Sequence, residues 1–258
     1  CVYRTTTGYP CSSYSRDGGH SWTTPKHMTY RPGGRRIKTP RACPRVWRTE
    51  NGKYLFWFHN HSGKTYKDRN PVWIAGGVEK DGRLHWSQPE ILLYDPDEDV
   101  RISYPDLIEK DGNYWVTETQ KSIARVHRID ASLLEGLWRQ GAVRSVTRDG
   151  LVLSAHREAL YAGNASMPAL PDLSEGGGFT IGMWLRFNEL SPGQVVLDTR
   201  DGDGRGVAVT TTKGKALKLS MSDGQKTASW TMNPGLLTTD RPHHMVFVVD
   251  GGPNIVSV

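Results

Sequence analysis

The sequence predicts an all-β protein, and three observations support this prediction. Short runs rich in Val, Ile, Trp, Tyr and Phe recur along the chain, for example at 53–58 and 179–185. Asp-Gly, Asn-Gly and Gly-Gly pairs separate these runs, and such pairs are typical of β-hairpin turns. A helical pattern is limited to one short stretch, at 131–135. Strands therefore account for most of the expected secondary structure.

One hairpin pattern occurs twice in the first half of the chain. Pro44 and Pro105 each precede a strand, a glycine turn and an aromatic strand, and the turn glycines are Gly52 and Gly112. A four-strand unit that recurs every ~40–50 residues, or somewhat more, is typical of the blades of a β-propeller. We predict one blade at about 44–93 and the start of the next near residue 103.

The second half of the chain has a different pattern. Residues 151–258 contain alternating strands, and the hairpin unit of the first half does not recur there. The sequence predicts domain 1–140, a linker at 141–150 and a β-sandwich or jelly roll at 151–258. The chain begins with Cys and ends in a strand-like pattern, so we expect both ends to be truncated and the jelly roll to be incomplete.

Positive charge is concentrated in the first half. Residues 1–150 carry 24 Lys/Arg and 17 Asp/Glu, whereas residues 151–258 carry nine and ten. This excess favours acidic ligands, although solvated arginines on loops are the simpler explanation for most of these residues. The longest basic run is Arg35-Arg36, which argues against nucleic acid as a partner. No stretch approaches the ~20 apolar residues of a membrane-spanning helix.

The three cysteines leave the redox state open. Cys11 and Cys43 could form a disulfide, and free buried thiols are an equal alternative. The spacing of the cysteines does not resemble a metal site.

An Asp-box motif lies at 15–22. Ser15, Asp17, Gly19 and Trp22 fit the pattern S-x-D-x-G-x-x-W at all its defining positions. We expect a tight hairpin in which the carboxylate accepts backbone hydrogen bonds, the glycine has a positive φ and the tryptophan packs between strands.

A second, weaker copy of this motif lies at 79–86. It keeps Asp81 and Trp86 but has Glu79 and Arg83 in place of serine and glycine.

With these motifs, residues 9–140 resemble the sialidase (neuraminidase) superfamily. The segments 103–108 and 117–126 are also similar to bacterial exo-sialidase-like proteins with BNR repeats. The resemblance implies a partial six-bladed β-propeller of about two to three blades. It further implies a secreted protein, extracellular or periplasmic, that acts on acidic or sialylated glycans. Asp boxes are structural features that lie away from the catalytic face, so they indicate fold rather than activity.

Residues 151–258 resemble laminin-G-like jelly rolls of the concanavalin A type. The similarity lies in 178–185, 222–224 and 241–247. It implies an accessory carbohydrate-binding domain. Asp198, Asp201 and Asp203 could supply Ca²⁺ ligands, or they could form a plain Asp-Gly turn.

The sialidase resemblance also implies a type of active site. Sialidases use an arginine cluster for the substrate carboxylate, a tyrosine nucleophile polarised by a glutamate, and an aspartate as acid/base. Blade starts and inner strands line the channel of a propeller. The expected catalytic residues are Tyr104, Glu118 and Asp106. The expected substrate-binding residues are Arg45, Arg69, Arg101, His59, His61 and Lys121. For each of them, a blade salt bridge or a surface charge is the structural alternative.

The sequence leaves three functions open. The leading hypothesis is an exo-acting glycoside hydrolase of sialidase type. The alternatives are a non-catalytic carbohydrate-binding or adhesion protein, and a propeller polysaccharide lyase or other glycosidase. No cofactor is expected, and we expect the isolated chain to be inactive because an open propeller exposes unpaired edges.

Overall fold

The computed structural model describes residues 1–63, 68–97, 99–120, 122–161 and 167–258. It is 39% strand and 7% helix, which confirms the all-β prediction. The chain divides into two compact units, Cys1–Val146 and Thr147–Val258. This division falls inside the predicted linker at 141–150. Within the described ranges, no helix is both long enough and apolar enough to cross a membrane.

The first unit begins with a small antiparallel sheet. It contains β1 (Val2–Tyr3), β2 (Cys11–Ser12) and β3 (Lys26–His27), paired in that order. The Asp-box loop connects β2 to β3.

The second sheet is an antiparallel meander that occupies the predicted unit at 44–93. Its strands are β4 (Arg45–Arg48), β5 (Tyr54–Phe58), β6 (Val72–Lys80), β7 (Arg83–Trp86) and β8 (Glu90–Leu93). β7 and β8 pair with opposite halves of β6, so the sheet is four strands wide. Asp81 and Gly82 close the β6–β7 hairpin with positive φ at both positions, as a type I′ turn requires.

The third sheet follows in the chain, and an Asp-Gly turn also closes its first hairpin. Its strands are β9 (Ser103–Lys110), β10 (Asn113–Thr119) and β11 (Ala124–Ile129). Helix α1 (Ala131–Arg139) follows, and its N-cap is Asp130, whose side chain accepts from the Ser132 N–H. The helix is longer than the predicted stretch at 131–135, and a 3₁₀ turn at Gln140–Ala142 extends it further.

A single core joins the second sheet, the third sheet and α1. It contains Trp57, Ile74, Val116, Leu134 and Trp138, among others. The helix approaches β6 so closely at Gly76 that an added Cβ would lie 2.8 Å from the Leu137 Cβ. This packing fixes the two sheets against one another, and the candidate site lies along their shared edge.

The second unit contains helix α2 (Arg157–Tyr161) and two sheets. One sheet is ordered β12 (Gly178–Leu185), β17 (His243–Asp250), β18 (Ile255–Ser257). The other contains β13 (Val195–Asp198), β14 (Arg205–Thr211), β15 (Leu217–Asp223) and β16 (Thr227–Thr231) in sequence order. Residues from both sheets, including Val209, Leu219 and Phe247, form one core.

The Asp-box loop has the expected hydrogen bonds, but its tryptophan is not packed as expected. Asp17 Oδ1 accepts from the Ser21 N–H at 2.9 Å, and Ser15 Oγ donates to the same atom at 2.8 Å. Gly19 has a φ of 94°. Trp22 is 49% exposed, so the prediction that it packs between strands is wrong. Its indole N–H instead donates to the Gly19 carbonyl at 3.0 Å, within the loop itself.

The second copy of the motif shows the opposite arrangement. Trp86 is buried, and it contacts Phe56 with ring centroids 5.3 Å apart. Asp81 forms a plain hairpin turn with Gly82.

Substitution of Asp17 should loosen this loop. Hydrogen bonds from Ser21 and Ser15 lower the pKa of Asp17 to about 2. The carboxylate therefore orders the loop fully above the ordinary pKa of about 3.9, and this order is lost as the pH falls through about 2. In Asp17→Asn we expect faster exchange of the Ser21 amide at neutral pH, by less than about tenfold. Hydrogen-exchange NMR would measure it, with Asp111→Asn as the control turn; unchanged Ser21 exchange would contradict the expectation.

All three cysteines are free. The Cys11–Cys43 disulfide is therefore not formed. Cys11 Sγ instead lies 3.5 Å from His27 Nδ1.

Candidate functional site

Most of the predicted site residues lie along one edge of the second and third sheets. Antiparallel pairing places the starts of β4, β6, β9 and β11 beside the ends of β5 and β10. Arg45 begins β4, Glu118 lies near the end of β10, and Tyr104 lies near the start of β9. We call this the strand-end edge. Hydrogen bonds and ion pairs along it form two groups, one around Arg69 and one around Glu118.

Arg69 is the centre of the first group. Its side chain precedes β6 and is only 8% exposed. One guanidinium nitrogen, Nη1, donates to Ser103 Oγ at 2.9 Å, and Nη2 donates to the Arg41 carbonyl at 3.4 Å. Among the described residues, no carboxylate forms an ion pair with it, and its buried Nε–H has no hydrogen-bond partner. A buried cation without a counter-ion is costly, so this arrangement favours binding of an anion.

Tyr104 adds an exposed aromatic ring to this group. Its ring centroid lies 5.9 Å from the Arg69 Cζ, and the residue is 57% exposed. Its φ is 53°, a left-handed conformation that costs energy for a residue with a large side chain. The nearby β9–β10 ladder shifts register between Thr117 and Thr119. Such bulges re-aim side chains, and this one lies beside Tyr104.

His59 and His61 connect the end of β5 to the same edge. His59 is 2% exposed, and its Nε2 donates to the Ile102 carbonyl at 3.0 Å. Burial lowers the pKa of His59 to about 4, so the ring is neutral at physiological pH. His61 Nε2 donates to the Asp68 carbonyl, and its Nδ1 accepts from the Gly63 N–H at 3.1 Å. Both histidines therefore support the loop at this edge through backbone contacts.

Glu118 is the centre of the second group, and its environment is unusual. The residue is 2% exposed, and neither carboxylate oxygen accepts a hydrogen bond from a described residue. Two basic side chains of β11 face it: Arg125 Nη1 lies 3.7 Å from Oε1, and His127 Nε2 lies 3.6 Å from the same atom. Arg125 also forms an ion pair with Asp95 at 3.4 Å. The carboxylate is thus held in place by charge, with its hydrogen-bonding capacity still available.

A chain of polar contacts connects the two groups. Asn70, the residue after Arg69, accepts from the Asp95 N–H at 3.0 Å and donates to the Asp95 carbonyl at 2.6 Å. Asp95 in turn pairs with Arg125. The path from Arg69 to Glu118 therefore passes through the chain neighbour Asn70, then Asp95 and Arg125.

The remaining predicted residues have different positions. The Asp106 carboxylate accepts from the Trp47 indole N–H at 3.3 Å and from the Leu107 N–H at 3.0 Å, which joins the second and third sheets. Arg45 is exposed and pairs with Trp57 in the β4–β5 ladder. Arg101 directly precedes Ile102, whose carbonyl binds His59. Lys121 lies outside the described residues.

Sequence reasoning missed four residues of these groups: Ser103, Asp95, Arg125 and His127. Arg125 and His127 alternate on β11, and the β10–β11 register places Arg125 directly opposite Glu118. Pairing the two strands in sequence would have revealed this contact. Ser103 has no such signal, because its partner Arg69 is far away in sequence.

In the second unit, the acidic loop forms turn contacts. Asp198 forms a hydrogen-bonded ion pair with Arg200, which lowers the pKa of Asp198. Asp201 Oδ1 accepts from the backbone N–H groups of Asp203 and Arg205, at 3.0 and 2.8 Å. Within the described ranges, no three His, Cys, Asp or Glu side chains are grouped as metal ligands.

Comparison of the chain with models of protein families and with curated proteins finds no match. Inferences about function therefore depend on the geometry of the strand-end edge and on the sequence motifs.

Proposed function

We propose that the chain belongs to a glycoside hydrolase of sialidase type that acts on acidic glycans. In this proposal the three sheets of the first unit are blades of a six-bladed propeller. The second unit is an accessory carbohydrate-binding jelly roll, and the protein is secreted. The antiparallel sheet at Arg45–Leu93, which is four strands wide, and the Asp-box loop support the propeller.

The observation that carries the proposal is the buried Arg69 guanidinium without a carboxylate partner among the described residues. Arginine binds carboxylates through a planar fork of donors, which suits the acid group of a sialic or uronic acid. The buried Nε–H of Arg69 has no hydrogen-bond partner among the described residues, and Nη1 of the same guanidinium donates to Ser103 Oγ. Positive charge along this half of the chain would attract such ligands.

Tyr104 and Glu118 are the candidates for two further roles, the nucleophile and the base that polarises it. A tyrosine hydroxyl suits attack beside a carboxylate, because it is neutral until a base takes its proton, whereas a carboxylate nucleophile is already anionic; sialidases use a tyrosine in this role. Tyr104 is exposed on the same edge as Arg69. Glu118, whose oxygens accept no hydrogen bond from the part of the chain that the structure describes, is the candidate base for a tyrosine hydroxyl. Asp106 is a weaker candidate for the acid, because Trp47 already binds its carboxylate.

One observation favours the non-catalytic alternative. Glu118 is enclosed between Arg125 and His127, and a base must reach the proton that it removes. If this arrangement persists with ligand bound, the edge would bind an acidic sugar without cleaving it.

The test is to measure binding with this chain and hydrolysis with a protein that carries all six proposed blades, since the isolated chain is expected to be inactive. Titration calorimetry with methyl sialoside, methyl glucuronide and methyl galactoside would report affinity, and a fluorogenic sialoside would report cleavage. Cleavage that is lost in Tyr104→Phe and in Glu118→Gln supports the enzyme. Binding of the acidic sugars without cleavage favours the carbohydrate-binding alternative. Absence of binding to both acidic sugars would contradict either form of the proposal.

A further inference from the structure

A cleft lies in the first unit, away from the strand-end edge. Its volume is about 460 Å³, and it is bounded by the loop around Tyr30, by β6 and β7, and by the C-terminal end of α1. Its apolar walls include Val78, Trp86, Leu137 and Trp138. This volume falls within the range of about 300–1,000 Å³ that is usual for small-molecule sites.

The charges that line this cleft all have one sign. Arg31 and Arg35 supply this positive charge, and no carboxylate of the described residues lines the cleft. Arg35 is held in a fixed position, because its Nη2 donates to Gln88 Oε1 at 2.7 Å and its Cζ lies 5.0 Å from the Tyr30 ring centroid. A guanidinium held by an amide and an aromatic ring keeps its full charge and loses little freedom when an anion binds.

The two glutamines of the rim each have the side-chain oxygen in a hydrogen bond and the NH₂ group without one among the contacts described below. The Gln88 side-chain oxygen accepts from Arg35, and the Gln140 side-chain oxygen accepts from the Gln88 backbone N–H at 2.6 Å. Each amide therefore has its oxygen engaged and its NH₂ group as the remaining capacity. With the arginines, the rim presents N–H donors to whatever occupies the cleft.

We propose that this cleft binds an organic anion: a sugar-sized ring that carries a carboxylate or a sulfate. The donor-rich, cationic rim selects acceptor oxygens with negative charge. The aromatic and apolar walls select a ring, because an inorganic ion would leave most of about 460 Å³ unfilled. The inference does not depend on the function proposed for the strand-end edge, since the two sites share no residue.

The test uses the whole chain carrying Arg69→Gln, so that binding at the strand-end edge is weakened. Calorimetric titrations with methyl glucuronide, glucosamine 6-sulfate, methyl glucoside and inorganic sulfate compare the probes. We expect saturable binding of one or both charged sugars and none of the neutral glucoside. The stronger charged probe identifies the acid group.

Two further substitutions locate the binding. Gln88→Glu places a carboxylate beside Arg35 with almost no change in shape, and Arg35→Gln removes the charge. We expect each to weaken binding at least about tenfold, as loss of one charge-assisted contact would. Gln225→Glu, on an exposed turn of the second unit, is the matched control and should leave the affinity unchanged.

Three results would overturn the inference. Failure of both charged sugars to bind would exclude the site. Equal affinity in Gln88→Glu and in its control would place the binding elsewhere. Inorganic sulfate that binds as tightly as the sugars would reduce the cleft to a simple ion site, without selection for a ring.

Discussion

Replacement of Arg69 by glutamine is expected to reduce the affinity for acidic sugars by about 100-fold. A hydrogen bond to a charged group contributes about 1.5–3 kcal/mol, and a bidentate carboxylate contact forms two of them. Glutamine brings neither the charge nor the fork of donors, and its shorter side chain ends before the Nη1 atom that donates to Ser103 Oγ. Affinity for methyl galactoside should remain unchanged, since that sugar has no carboxylate.

The controls must separate binding from folding, because Arg69 also connects its loop to β9 through Ser103. Arg48→Gln is the matched control, since Arg48 ends the strand that Arg45 begins and is exposed. Titration calorimetry gives the affinity, and thermal unfolding of both variants gives the stability. A folded Arg69→Gln protein with undiminished affinity for methyl sialoside would show that Arg69 does not bind the acid group.

The strands and their turns could be predicted from the sequence, because their signals are local. The Asn51-Gly52 and Asp111-Gly112 turns separate runs of apolar residues, and the structure has hairpins at both places. The sequence predicts only the first part of the helix at Ala131–Arg139. Its last turns include Leu137 and Trp138, which pack against β6 at Gly76, a contact distant in sequence.

The positions of single side chains were harder to predict, because they depend on contacts distant in sequence. Glu118 is buried beside two basic side chains of β11, a neighbouring strand. Trp22 matches its motif, yet it is exposed. Burial of its ring depends on residues that pack over the loop, and the motif does not specify those residues. The grouping of Arg69 with Ser103 and Tyr104 arises from packing of the second sheet against the third, which spacing along the chain does not encode.

Acidification from pH 6.5 to pH 4 is expected to destabilise the first unit through His59. The pKa of this ring is lowered to about 4, mainly by burial and to a smaller extent by the nearby charges of His61 and Arg69. The unfolded chain has an ordinary pKa near 6.5, so between these values it binds a proton that the folded protein does not. Stability is therefore complete above about pH 6.5 and is lost as the pH falls towards 4. A shift of this size corresponds to about 3 kcal/mol.

Comparison with His59→Gln separates this effect from the titration of carboxylates. Glutamine can still donate to the Ile102 carbonyl, as His59 Nε2 does, but it does not titrate. We expect the variant to have a flatter dependence of unfolding free energy on pH between 6.5 and 4, measured by urea denaturation. His20→Gln, on the exposed Asp-box loop, should keep the dependence of the original chain. If the profiles of His59→Gln and the original chain run parallel, His59 is not the group that titrates. If instead the two profiles differ, His59 titrates, and its protonation introduces a positive charge beside Arg69. Binding of an acidic sugar at the strand-end edge would then oppose the acid-induced unfolding.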